Sequence, residues 1–529
     1  MKFIICFFSI SFFFISCKKD AILDSQSNMD NPIISNLQAS EIHLSSAKLN
    51  ASILSEGSTP TQTRGFYYSS EKEIAAKPIN MSGISQVAEQ SKGKGDYSLT
   101  IQNLKPNTSY YFNCFTFNSA SSEVFGKQLT FKTNSLLTKT TLNKVYGGLG
   151  YDGFYKLIKT KDGNLLAIGE SNSSKSGNKI TGDNGKGDGW VSKLDLNGNI
   201  IWEKNFGGNN RDYFIDGCNS IDGGFLLAGG SASTTGIDIT GYGQIYLVKI
   251  DNNGNKIWAK NLNIGTYNYF ESIFPVLGGG YLLTSTAGQS CSFTKIEENG
   301  NVSWTKKLNF DFYSGLASFE ISTTKSNDGN LLILGYNGNN NALVIFKINN
   351  NGEIIKQLEI PHTSLNNIEY LSSSKIIENT NGDLILAITN GGSAPNQTIY
   401  SINPSGKIVW NLRIGDSIFL EIYDLVQSIT NNQYYIVGTS NQNIIKYKTE
   451  ISRGNNDGFL MAIDENGNYL FDKTFGGNDQ DEFRSAIFIN NDIFILGNSN
   501  SNAGIEKNTT SFGLNDGWLI KTSFSEESK

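Results

Sequence analysis

The sequence predicts an all-β chain: a small β-sandwich followed by a seven-bladed β-propeller whose last blade is completed by an early strand. Three observations carry this. A pattern of strand, tight turn and strand recurs at 193–208 (KLDLNGNIIWEKNFGG), 249–261 (KIDNNGNKIWAKN), 295–307 (KIEENGNVSWTKK), 347–358 (KINNNGEIIKQL), 401–412 (SINPSGKIVWNL) and 462–477 (AIDENGNYLFDKTFGG). Two further strand patterns around a turn belong to each unit, and units follow one another at roughly 50–60 residues, a period of radial or solenoid repetition. The seventh unit stops after three strands, while 142–148 (LNKVYGG) copies 202–208 (WEKNFGG) and supplies the missing fourth. Such closure removes an exposed sheet edge.

Composition sets the limits. A chain of 529 residues exceeds one ordinary core and predicts at least two domains. Glycine is abundant (55) and proline scarce (8), as expected for many short strands joined by tight turns. The formal charge of −6 is spread out, with no Lys/Arg block, so no nucleic-acid partner is expected. The two histidines, His43 and His362, fall in different predicted domains, which excludes a His-rich metal site and argues against a His-based triad. No cofactor is expected. Cys6 and Cys17 lie in the leader; Cys114, Cys218 and Cys291 lie in separate predicted strands without CxxC spacing and read as buried thiols.

Residues 1–16 form a leader. Lys2 precedes an apolar run over 3–16, too short to cross a bilayer and suited to a signal peptide. The run ends Phe14-Ile15-Ser16-Cys17, which resembles the lipobox of bacterial lipoproteins, with Phe14 where leucine is usual. The resemblance implies cleavage before Cys17, lipidation of Cys17 and attachment to the outer membrane, on its cell-surface or periplasmic face. An ordinary secretory signal containing a cysteine is the alternative. Polar residues 17–30 read as a flexible tether.

The first domain spans 31–133. Strand patterns at 47–53, 65–69, 97–101, 110–117 and 127–132 are spaced like a small sandwich. Residues 104–110 (LKPNTSY) resemble the fibronectin type III signature. That likeness implies that the Tyr110 hydroxyl bonds back to the chain at a sheet corner. The usual early-strand tryptophan is missing, and Leu49 stands in its place. A spacer role follows.

The second domain spans 139–524. Its second strands, such as 165–169, 225–229 and 331–335, are apolar on both faces and suit sheets packed between neighbours. The repeated hairpin resembles that of quinoprotein-type propellers and, more loosely, the Asp-box hairpin of sialidases. The whole chain resembles surface lipoproteins of Bacteroidetes-type bacteria. The resemblance implies that Trp202, Trp258, Trp304 and Trp410 dock between blades, with Lys356 and Phe471 as replacements.

Long loops at 172–188, 232–243, 440–457 and 498–516 belong to units 1, 2, 6 and 7, which closure makes contiguous. In the same sector Gly-Gly-x-x-x-Asp connections end at Asp152, Asp212 and Asp481. These aspartates are expected to approach one another near the channel mouth, with Arg211, Arg484, Tyr151, Tyr213 and Trp190 nearby. One reading makes the sector a binding surface for a protein or glycan. The other makes the aspartates caps of strand turns. Asp183, Asn184 and Asp188 offer oxygens in a glycine-rich loop, but calcium takes six to eight and the spacing is not that of an EF-hand, so no metal is expected.

The leading expectation is a lipid-anchored, monomeric binding protein without catalytic residues. A glycan hydrolase using two of the three aspartates and an assembly factor of an outer-membrane complex are the alternatives. A sialidase-like arginine clamp is hard to assemble from Arg211, Arg413, Arg453 and Arg484.

Overall fold

A computed structural model describes residues 31–71, 85–90, 93–120, 123–183, 185–236, 245–263, 269–287, 290–309, 321–337, 342–361, 371–390, 396–415, 420–441, 447–504 and 506–527. The leader, Cys17 and the tether lie outside the described residues, as do His362 and Asn184. Strands and turns make up the described chain, with no helix among these residues. They cluster into two units. The smaller takes in residues up to Ile42, Ala47–Ile101 and Ser109–Lys132; the larger runs from Thr133 and includes His43–Ser46 and Gln102–Thr108. His43 therefore groups with the second unit, against the sequence expectation.

The smaller unit has two sheets. One orders Ile33–Ser40, Ala47–Ser55 and Gly95–Ile101; the other orders Ser85–Gln90, Thr61–Ser69, Ser109–Asn118 and Val124–Phe125, with Leu129–Lys132 also on Ser109–Asn118. Leu49, Ala51 and Ile53 of the first sheet and Phe66, Phe112 and Cys114 of the second are fully buried. Phe66 meets Tyr97 across the core with ring centres 5.3 Å apart. Tyr110 is buried and stacks on Phe131 at 5.7 Å. The strand Ser85–Gln90 escaped the sequence reading because SQVAEQ presents no apolar alternation.

Among the described residues the larger unit holds seven four-stranded antiparallel sheets, numbered here in chain order. Sheet 1 is Asp152–Lys159, Leu165–Ser171, Asp188–Leu194 and Ile200–Phe206; sheet 2 is Asp212–Asn219, Phe225–Ser231, Ile245–Ile250 and Lys256–Leu262. Sheet 3 is Tyr269–Pro275, Tyr281–Ala287, Ser290–Ile296 and Val302–Asn309; sheet 4 is Ser322–Lys325, Leu331–Asn337, Ala342–Ile348 and Ile354–Pro361. Sheet 5 is Leu371–Glu378, Leu384–Asn390, Asn396–Ile402 and Ile408–Gly415; sheet 6 is Leu420–Ser428, Gln433–Ser440, Asp457–Ile463 and Tyr469–Phe475. Sheet 7 is Asp481–Ile489, Asp492–Ser499 and Asp516–Glu527, and its fourth strand is Ser135–Tyr146.

The architecture is that of a β-propeller. Each first strand packs against the first strand of the next sheet, and that of sheet 7 packs against that of sheet 1. The middle strands are buried at nearly every position because both of their faces are apolar. A separate core fills each junction. Leu166, Ile168 and Phe206 meet Phe214 and Tyr246 between sheets 1 and 2, for example, and Phe494, Leu496 and Leu519 meet Leu165 and Trp190 between sheets 7 and 1.

The early strand pairs as the sequence copy requires: Val145 opposes Trp518, Lys144 opposes Leu519 and Leu142 opposes Lys521. Pairing extends to Ser135 opposite Glu527, so the strand begins before residue 139, the predicted start of the domain. Tyr146 closes the joint to sheet 1. Its hydroxyl donates to the Gly198 carbonyl at 2.8 Å and its ring meets Phe154 edge-on at 6.2 Å.

The hairpin tryptophans dock on the next sheet. Trp202 Nε1 donates to the Asn252 carbonyl (3.2 Å), Trp258 to Glu298 (3.0 Å) and Trp410 to Glu465 (3.1 Å). Each ring lies on the turn glycine of that hairpin. A Cβ on Gly467 would sit 2.4 Å from Trp410, and φ is +79° there, so glycine meets both demands.

Truncating Tyr146 to Ala removes a buried aromatic at the joint and is expected to cost about 3–5 kcal/mol. Tyr146→Phe removes only the hydroxyl bond and is expected to cost about 1 kcal/mol. Thermal unfolding followed by circular dichroism ranks the two. An unchanged midpoint for Tyr146→Ala would show that the joint contributes nothing to stability.

Candidate functional site at the channel mouth

An axial channel of about 1000 Å³ is lined by the first strands of all seven sheets. Its belt residues occupy one register position on each strand: Lys156, Asp216, Ser272, Ser322, Lys375, Asp424 and Ser485. The belt is charge-balanced, with two lysines against two aspartates. Several of its members also clasp the next sheet. Asp216 Oδ2 accepts from Ile273 N (3.0 Å), Ser322 Oγ from Ile376 N (3.1 Å) and Asp424 Oδ2 from Ala486 N (3.0 Å). Burial opposes the charge on Lys156, but Asp216 and Asp424 outweigh it and raise its pKa.

Just before the belt, the register slips by one residue in the first strands of sheets 1, 2, 3, 6 and 7. Such β-bulges re-aim a side chain. The extra residues are Tyr155, Ile215, Glu271, Tyr423 and Arg484, and all five line the channel.

The bulge residues of sheets 6, 7 and 1 anchor a polar network. Arg484 donates to both oxygens of Glu482 at 2.8 and 2.7 Å and stacks over the Tyr423 ring at 4.0 Å. Asn498 Nδ2 donates to the same Glu482 at 2.9 Å, and the Tyr423 hydroxyl donates to Glu421. On the sheet 1 side Tyr155 donates to Glu170 at 2.6 Å, and its hydroxyl lies 3.3 Å from that of Tyr151. Arg211 binds both oxygens of Glu170 at 2.8 and 2.7 Å and stacks on Tyr213 at 5.1 Å. Burial raises the Tyr155 and Tyr423 hydroxyls above the usual tyrosine range, so they stay protonated and donate to Glu170 and Glu421.

Arg211, Arg484, Tyr151 and Tyr213 thus belong to this network in sheets 7, 1 and 2. Sequence reasoning missed Tyr155, Tyr423, Glu170, Glu421 and Glu482. For Tyr155 and Tyr423 the signal was a non-alternating residue in the first strand, visible only once the register is known.

The remaining site residues are corrected. Trp190 is fully buried, stacked on Phe154 at 4.2 Å, and presents no platform. Asp152, Asp212 and Asp481 are also fully buried and do not line the channel. Each caps its own connection. Asp212 Oδ2 accepts from Gly208 N and Ser233 Oγ, both at 2.7 Å, and Asp481 Oδ2 accepts from Gly477 N and Ser501 Oγ, both at 2.7 Å. Asp152 Oδ2 accepts from Gly148 N (2.7 Å) and Ser173 Oγ (2.6 Å), and its Oδ1 from Ser171. The turn-cap reading accounts for the Oδ2 of each, while Asp212 Oδ1 and Asp481 Oδ1 are buried without a hydrogen-bond partner among the described residues.

Each cap has a companion on the third strand of the preceding sheet: Asp188 for Asp212, Asp457 for Asp481 and Asp516 for Asp152. The pair encloses the first glycine of the connection, and a Cβ on Gly207 would sit 2.2 Å from Asp188 Oδ1 and 2.7 Å from Asp212 Oδ2. Asp188 thus lies in this junction, facing the connection that Asp212 caps. The long loops are likewise tied down. Thr181 N meets Glu203 at 2.6 Å, Thr449 N meets Asp472 at 2.8 Å, and Lys179, Lys448 and Lys507 are buried beneath them. Part of the sheet 2 loop, 237–244, lies outside the described residues.

No family model matches the chain, and no curated protein matches it. Among solved structures, the sensor domain of the anti-sigma factor RsgI4 in Pseudobacteroides cellulosolvens is 27% identical over 21% of this chain and 96% of its own, with a TM-score of 0.16. YCF48 bound to D1 peptide is 11% identical over 72% of this chain and 94% of its own, with a TM-score of 0.40. Kluyveromyces lactis Hsv2 is 11% identical over 74% of this chain and 99% of its own, with a TM-score of 0.37. These superpositions are too loose to carry a fold or a function; the sheets above carry the fold.

Burial, with the charge of Asp152 adding to it, pushes Asp516 up to about 7; burial and Asp481 push Asp457 up to about 6. A carboxyl raised in the folded state stabilises fully below its unfolded value near 4, and that stability is lost as pH rises through the folded value. Burial lowers Lys507 to about 8, and its opposite contribution falls at higher pH. The thermal midpoint is therefore expected to decline between about pH 4 and 7. Asp516→Asn, which keeps the acceptor for Phe512 N, is expected to flatten the decline. Parallel slopes for the two proteins would exclude Asp516 as its source.

Proposed function

We propose that this chain is a lipid-anchored binding protein of the outer membrane. In this reading Cys17 carries the lipid, a fibronectin type III-like module acts as spacer, and a seven-bladed propeller presents a recognition site. The site is the channel mouth at sheets 6, 7, 1 and 2, and its partner is a protein or glycan. One observation carries the proposal: bulged first strands aim Tyr155, Tyr423 and Arg484 into a channel of about 1000 Å³, where paired glutamates hold the network in place. Tyrosine and arginine concentrate at recognition surfaces because each combines a broad apolar face with fixed hydrogen-bonding groups.

The anchor is tested by feeding cells a labelled fatty acid. Label on the wild-type protein and none on Cys17→Ala is expected; equal labelling would remove the anchor. The site is tested with full-length protein crosslinked in intact cells. The Tyr423→Ala/Arg484→Ala variant is expected to lose at least about tenfold in partner recovery, as for a hot-spot pair. Unchanged recovery with an unchanged thermal midpoint would remove the mouth as the binding site.

A further inference from the structure

The network at the mouth has an unusual electrostatic property. An arginine in a cleft ordinarily attracts carboxylate or phosphate, because its planar fork matches two oxygens. Here both forks are filled from within. Arg484 spends Nε and Nη2 on Glu482, and Arg211 spends the same two nitrogens on Glu170. Glu170 is only 6% exposed and Glu482 14%, so an incoming anion would have to displace a shielded carboxylate already within 2.8 Å. The belt below is charge-balanced, and Glu421, exposed beside Tyr423, opposes an anion further.

What remains on offer is a set of short-range groups. Each arginine keeps its Nη1 donors. Glu421 keeps lone pairs beyond the one used by the Tyr423 hydroxyl. Partly exposed rings of Tyr151, Tyr155 and Tyr423 stand between them. Donors, acceptors and apolar ring surface are therefore brought together, and with two arginines against Glu170, Glu421 and Glu482 the set carries one surplus negative charge, which offers an anion no net attraction. A hydroxyl group both donates and accepts, and a sugar ring joins such groups to an apolar C–H face.

We infer that the mouth binds a neutral glycan, and that anionic glycans are disfavoured there. This rests on the binding role proposed above and narrows it to one ligand class. The Arg–Glu pairs act as preset, neutral hydrogen-bonding plates, the tyrosines supply stacking surface, and the volume lies at the upper end of the range of ligand pockets. The two lysines and two aspartates of the belt cancel, so a neutral chain end meets no net charge there.

The test uses the full-length protein with two immobilised probe sets, neutral oligosaccharides (gluco-, xylo-, manno- and galacto-series) and acidic ones (oligogalacturonates and sialylated chains). Binding to at least one neutral series is expected, changing less than about twofold between roughly 50 and 500 mM salt, since screening acts on charge pairs. Tyr423→Ala and Arg484→Ala are each expected to weaken it about tenfold or more. Should either variant lower the thermal midpoint, Tyr423→Phe and Glu421→Gln replace them, with a loss of roughly threefold or more expected. Binding only to acidic chains, or neutral binding untouched by these variants, would overturn the inference. If crosslinking recovers a mouth-dependent protein partner while every neutral series fails, the inference falls and the binding role stands. If mouth variants affect neither readout, both fall.

Discussion

Everything in the larger unit depends on burying sheets that are apolar on both faces. Such a sheet cannot be left with one side in water, so each must lie between two neighbours. A linear stack always leaves two terminal faces uncovered, whereas a ring leaves none. The zipper of Ser135–Tyr146 on Asp516–Glu527 is where the chain meets this requirement. It ties the first strand of the unit to the last, so the core between sheets 7 and 1 resembles the others. The same constraint explains the tryptophan hairpins, since a ring of repeated sheets needs each sheet set at a fixed angle to the next. An indole bonded to a neighbour's turn carbonyl fixes that angle in a way that apolar packing alone does not.

Much of this was legible in the sequence, because repeats reveal themselves by comparison with one another. The copy of WEKNFGG at LNKVYGG identified the closing strand without coordinates, and Asn-Gly turns between alternating strands marked the hairpins. The polar groups were harder to read. Asp152, Asp212 and Asp481 appeared as a converging cluster because sequence shows spacing and adjacency but not which donors are close. Their partners, a backbone N–H four residues earlier and a serine about twenty residues later, lie across a strand connection. Trp190 was misplaced for a related reason. Beside a glycine-rich loop it looked exposed, yet its strand is the third of four and is covered on both faces.

The residues that do reach the channel were hidden by the bulges. A strand pattern read with a period of two assigns Tyr155 or Arg484 to a face by counting, and one inserted residue reverses the count. The bulge occurs at the same step in five first strands, so it belongs to the repeat rather than to any one sheet. The scaffold thus offers, in each of these five strands, a channel-lining position that falls outside the ladder register. Their identities differ sharply: tyrosine, isoleucine, glutamate, tyrosine and arginine. Variation at positions free of a packing duty contrasts with the caps, where aspartate and serine recur because the connection demands them.

That contrast separates structural polarity from functional polarity in this fold. A buried polar group must find a partner or destabilise the chain, so the clasping belt residues and the strapped loops are explained by folding alone, and the junction aspartates only at the Oδ2 atoms that accept from backbone N–H groups. The mouth is different. Arg484 and Glu482 lie on one first strand, and exchanging both for apolar residues would leave no backbone group of the sheet unpaired. Ion pairs of this kind are weak sources of stability. Two of them, each backed by a tyrosine ring, are gathered on one side of an open channel, and the ring draws on them at one point, where Glu482 holds Asn498 to accept from Phe154 N of sheet 1 at 2.7 Å. Under the binding role proposed above, the internal neutrality of these pairs constrains what enters the channel.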